Sequence, residues 1–110
     1  MKFKTTSVFD KRISKLLSED EYAQMRQALS DNPDFGVIMR GTAGVRKMRV
    51  ALGHRGKSGG ARIIYYWHNP KTEENEIYLL FAFLKKEQEN MTGKQKSELK
   101  KFIESEYQND

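Results

Sequence analysis

Three segments patterned as β-strands, set close together, constrain this chain more than any other feature. Met48, Val50 and Leu52 alternate with Lys47, Arg49 and Ala51, the two-residue period of a half-buried strand. Residues 62–68 are dense in β-branched and aromatic side chains. Residues 76–83 are apolar enough to be covered on both faces. Between the first two lies a loop, residues 53–60, with four glycines, and between the last two a polar turn that opens at Asn69-Pro70. Connections this short and polar join antiparallel neighbours. The pattern predicts a three-stranded antiparallel meander.

Helical signals flank the meander. Ser18 and Glu21 have the spacing of a capping box, and Tyr22, Met25, Ala28 and Leu29 follow at helical spacing until Asn32-Pro33 stops them. Residues 9–17, with Ile13, Leu16 and Leu17 on one side, predict a shorter helix, and residues 2–6 a leading strand. After a charged break at residues 85–90, Thr92 and Gln95 repeat the capping-box spacing. The helix they open carries Leu99, Phe102 and Ile103 on one face and runs to about residue 107. No repeat, linker or low-complexity tract interrupts the 110 residues, so one α+β domain over residues 1–110 is expected.

Charge is concentrated rather than spread. Residues 40–62 hold seven Lys or Arg and no acid, whereas the remainder holds thirteen basic and fifteen acidic residues. A nearly neutral domain with one basic segment points to a polyanion site more than to a generally sticky surface. No cysteine is present, which removes disulfides and thiolate metal sites and fits a reducing compartment. The longest apolar stretch, residues 77–84, is too short to cross a bilayer. The first ten residues, with Lys2, Lys4 and Asp10, lack the apolar run of a secretion signal. A cytoplasmic protein without membrane attachment is expected.

Placed on the meander, the cations converge. Lys47 and Arg49 project from one face of the first strand. The second strand runs opposite to its neighbours, so Arg62 at its start lies beside the end of the third strand, near Lys85 and Lys86. The glycine-rich loop, with Arg55 and Lys57, adds charge at that rim. Such a cluster suits RNA phosphates. There is no Walker motif, His-x-x-x-His pair or paired-carboxylate metal site, and neither metal nor cofactor is expected. Cleavage by an attacking 2′-hydroxyl needs cations around the transition state and a proton donor for the leaving oxygen, and Lys and Arg can supply these. His54 and His68 read as ordinary polar residues, and Tyr65, Tyr66, Trp67, Phe81 and Phe83 as core and sheet packing.

Gly41-Thr42-Ala43-Gly44-Val45-Arg46-Lys47-Met48-Arg49, Gly59-Gly60-Ala61-Arg62-Ile63-Ile64-Tyr65-Tyr66 and Ile77-Tyr78-Leu79-Leu80-Phe81-Ala82-Phe83-Leu84-Lys85-Lys86-Glu87 resemble the RelE-like toxins of bacterial toxin–antitoxin modules, most closely the HigB type. The likeness runs from about residue 7 to 103. It implies helices packed on a small antiparallel sheet and metal-independent mRNA cleavage in the ribosomal A site. It also implies a neutralising antitoxin, expected here to be a helix-turn-helix DNA-binding protein. In this resemblance Lys47 and Arg49 match the pair acting on the 2′-hydroxyl and phosphate, and Arg62 the arginine that stabilises the transition state. Lys86 sits where an arginine often serves the leaving group; Arg46, Arg55, Lys57 and Lys85 are expected to bind RNA or ribosome. Where some members have a tyrosine shortly afterwards, this chain reads Asn90-Met91-Thr92. The competing readings are a ParE-like inhibitor of DNA gyrase and an RNA-binding module without catalysis.

Overall fold

A computed structural model describes residues 1–52 and 60–108. Its elements run β1 (Lys2–Thr5), α1 (Ser7–Leu16), α2 (Glu19–Asp31), β2 (Val37–Ile38), β3 (Arg46–Val50), β4 (Ala61–His68), β5 (Glu76–Leu84) and α3 (Gly93–Tyr107). The predicted α+β class and meander are present. The strands form one five-stranded sheet in the order β1-β5-β4-β3-β2. Each neighbouring pair is antiparallel except β1 with β5, which run parallel.

Both predicted capping boxes form. Ser18 Oγ accepts from the Glu21 amide at 3.1 Å while Glu21 Oε1 accepts from the Ser18 amide at 2.8 Å. Thr92 and Gln95 make the same exchange at 3.1 and 2.8 Å. Each pairing satisfies amides that a helix start leaves without intrahelical partners. The Thr6 hydroxyl accepts from the Phe9 amide at 3.0 Å and so caps α1 as well.

Alternation along β4 divides the core in two. Ile63 and Tyr65 face α1 and α2, where Phe9, Ile13, Leu16, Met25 and Leu29 meet Met48, Ile77 and Leu79. Ile64 faces the other way and joins Leu80, Phe83, Met91 and Ile103 beneath α3. Ala28, read from the sequence as part of the apolar face of α2, is exposed. The register of β4 and β5 shifts between Ile64 and Tyr65, which pair with Phe81 and Leu79. Leu80 is therefore an extra residue, a bulge that lets both Leu80 and Phe81 pack on the α3 side.

Two features lay outside the sequence reading. β2 is only two residues long and pairs Val37 with Lys47 and Ile38 with Arg46. The turn after it is closed by Thr42, whose hydroxyl donates to the Met39 carbonyl at 2.7 Å and accepts from the Val45 amide at 3.0 Å. The leading strand, for which the sequence names no neighbour in an otherwise antiparallel sheet, pairs in parallel with β5. None of the described helices is long and apolar enough to cross a membrane.

Candidate nucleic-acid interface

Lys47 and Arg49 alternate with Met48, so both leave the sheet on the face opposite that residue's core. Their cross-strand partners are Ile64 and Arg62, and Ile64 belongs to the core beneath α3. Lys47, Arg49 and Arg62 therefore share the α3 face. On β5, Arg62 is paired with Phe83 and Ala61 with Leu84, and the Lys85 amide donates to the Gly60 carbonyl at 3.1 Å. The exposed Lys85 and Lys86 leave β5 at the rim where β4 begins.

That exit is held firmly. Arg12 donates through Nε to the Ala82 carbonyl at 2.6 Å and through Nη2 to Glu87 Oε1 at 2.9 Å. Glu87 Oε1 also accepts from the Leu84 amide at 3.1 Å. The turn carrying Lys85 and Lys86 is thus clamped to α1 by a charge-assisted pair.

Arg62 differs from the solvated strand-end cation that its position suggests: it is only 5% exposed. Its guanidinium is held below its usual pKa, first by burial and then by the charge of Arg49, while Glu89 acts in the opposite direction. Two like charges directly opposite on neighbouring strands cost stability. This pair concentrates positive potential where an anion can compensate for it.

Lys47 Nζ donates to Asn90 Oδ1 at 3.3 Å. The two residues line a cleft of about 210 Å³ whose walls include Val37, Met39, Met91 and Lys96. Asn90 and Glu89 carry no pattern by which sequence alone would separate them from the charged break that holds them.

Arg46 is not part of this cluster. It lies on the other face of β3, where Nη1 donates to the Gly36 carbonyl at 2.7 Å and the Asp34 carbonyl at 3.2 Å, and the guanidinium sits 5.9 Å from the Trp67 ring. The strand period that groups Lys47 with Arg49 already separates Arg46 from them. Arg55, Lys57 and His54 lie outside the described residues. His68 packs against Tyr107 at 4.6 Å between ring centroids. Tyr66 and Tyr78 meet the same ring, at 4.9 and 6.4 Å, so these aromatic side chains seat the end of α3. Among the described residues, no group of three or more His, Cys, Asp or Glu side chains is placed to hold a metal ion.

Residues 3–109 match the family model of the RelE toxin of the RelE / RelB toxin–antitoxin system. With a match over nearly its whole length, on a sheet and helices of the kind the resemblance implied, the chain belongs to the RelE toxin family.

Proposed function

We propose that this toxin is a metal-independent endoribonuclease that cuts mRNA on the ribosome. One observation carries the reading: Lys47, Arg49 and Arg62 share one sheet face, with Arg62 buried directly opposite Arg49. That arrangement suits the extra negative charge of a phosphorane better than a ground-state phosphodiester. In the proposed step the 2′-oxygen bonds to the adjacent phosphorus and the bond from phosphorus to the 5′-oxygen breaks. The products are a 2′,3′-cyclic phosphate and a free 5′-hydroxyl. Lys47 is placed to receive the 2′-hydroxyl proton. Arg49 and Arg62 hold the equatorial oxygens, and Lys86 gives a proton to the departing 5′-oxygen.

Phosphate contacts position RNA but do not select a site along it. A ribosome presents mRNA at a fixed place and can align the 2′-hydroxyl with its phosphate, which is worth several orders of magnitude in rate. The test incubates one transcript with the toxin, with and without programmed ribosomes, and maps the ends by primer extension. Cleavage confined to the ribosome sample is expected, and it persists when transition metals are chelated and magnesium is kept in excess. Equal cleavage in both samples would indicate a general ribonuclease. No cleavage, with inhibition of DNA gyrase in a parallel supercoiling assay, would replace the reading with the gyrase inhibitor.

A further inference from the structure

We propose that Asn90 is the positioning residue for Lys47, holding the lysine nitrogen so that its free side faces the RNA. This rests on the reading of Lys47 as the group that acts on the 2′-hydroxyl. Asn90 is an exposed residue in the segment between β5 and α3, but its backbone is not loosely placed. Gln88 Nε2 donates to the Asn90 carbonyl at 2.9 Å and to Gln95 Oε1 at 2.7 Å. Gln95 Oε1 in turn accepts from the Thr92 amide at 2.8 Å within the cap of α3. A network of hydrogen bonds therefore runs from the helix cap to the residue whose Oδ1 meets Lys47 at 3.3 Å.

The chemistry of the acceptor fits the task. A flexible four-carbon stem leaves a lysine nitrogen poorly aimed unless something fixes it. One N–H tied to Asn90, with Lys47 lining the same cleft as Val37, Met39 and Met91, leaves the rest of the nitrogen free to turn outward. A carboxamide accepts that hydrogen bond without adding charge. A carboxylate in the same place would favour the ammonium and leave less free amine to accept a proton. The other charges around Lys47 are Arg49 on its own strand, Arg62 on β4 and Lys96 on α3, with Glu89 acting on Arg62. Asn90 is thus a neutral contact in a predominantly cationic setting.

The experiment measures cleavage on programmed ribosomes for the wild type, N90A, N90D, K47A and the K47A/N90A double variant. N90A should lower the maximal rate about tenfold and leave the ribosome concentration for half-maximal rate within about twofold. N90D keeps an acceptor of the same shape and adds a charge, so the rising limb of its pH–rate profile should move up by about one pH unit. In the K47A background the N90A change should cost nothing further, because Asn90 acts through the lysine. An active wild type with unchanged N90A and N90D profiles, or with an N90A cost that persists in K47A, overturns the positioning role alone. A wild type that leaves the mRNA intact overturns the nuclease reading, and the role of Asn90 with it.

Discussion

Arg49 and Arg62 face each other across β3 and β4, one exposed and the other only 5% exposed. Like charges opposite one another on neighbouring strands are destabilising, so the pairing itself works against the sheet. Stability and activity should therefore move in opposite directions at Arg49. R49Q is expected to raise the unfolding free energy by about 0.5 kcal/mol and to lower ribosome-dependent cleavage by about 100-fold. Denaturant melts and rate measurements on the same preparation check this. A variant that loses both, or keeps full activity, removes the case for a phosphate held between the two arginines.

Gly60 sets the register that delivers Arg62. Its φ of +66° lies in the left-handed region, and a Cβ placed there would overlap the carbonyl oxygen of Val50. Its own carbonyl accepts from the Lys85 amide at 3.1 Å, so one residue links the start of β4 to the exit of β5 while lying close against the end of β3. G60A is expected to cost at least about 2 kcal/mol and to reduce cleavage even at temperatures where the protein stays folded. Circular dichroism melts alongside activity at low temperature measure both effects.

The far end of the sheet makes a pH prediction. The Tyr107 hydroxyl donates to Glu76 Oε2 at 2.6 Å, and Lys2 and Lys4 flank that carboxylate at 3.9 and 3.7 Å. Burial first, and then the hydrogen bond to Glu76 and its charge, raise the Tyr107 phenol well above its ordinary range. A phenol that stays protonated in the folded state while the unfolded chain ionises makes stability fall as pH rises. The effect is absent at neutral pH and begins near about pH 10. Y107F should lose about 1.5 kcal/mol at neutral pH and show a shallower decline above that point. Some decline remains, because Tyr65 and Tyr22 are shifted in the same direction. Chemical denaturation between pH 7 and 11 resolves the two slopes; identical slopes in both proteins would remove Tyr107 from the account.

RNA binding should weaken steeply with salt. If the cationic face contacts roughly four to six phosphates, the log–log slope on a single strand is about −3 to −4. K86Q should make the slope shallower by somewhat under one, whereas R46Q should leave it unchanged, since the Arg46 guanidinium is committed to the Gly36 and Asp34 carbonyls. Fluorescence titrations at several ionic strengths report the slopes directly. An R46Q slope as altered as that of K86Q would contradict the division of the two faces.

The parts of the fold that follow a local rule were legible in the sequence. The Ser18–Glu21 and Thr92–Gln95 caps and the alternation that puts Lys47 and Arg49 together are set within a few residues of chain. β2 was not legible because two residues cannot display a period, and its pairing is stabilised by a Thr42 turn whose bonds are visible only in three dimensions. The burial of Arg62 depends on the strands that pair on either side of it, a long-range outcome. Arg46 lies on the other face, an assignment that strand alternation alone already makes.

The parallel pairing of β1 with β5 has a consequence in time rather than in space. Lys2 sits beside Glu76 and Thr5 beside Leu79, so this edge joins segments more than seventy residues apart in the chain. Contacts between distant parts of a chain form late and slowly, because the intervening loop must be closed before they are rewarded. The clamp from Arg12 to Ala82 and Glu87 spans a similar distance along the chain. During translation, the arginine corner on β3 and β4 emerges before the strand and turn that complete it. A chain growing on a ribosome therefore carries its cationic residues past that machine unassembled, and its cationic surface is finished only after the strand beside β1 has been made.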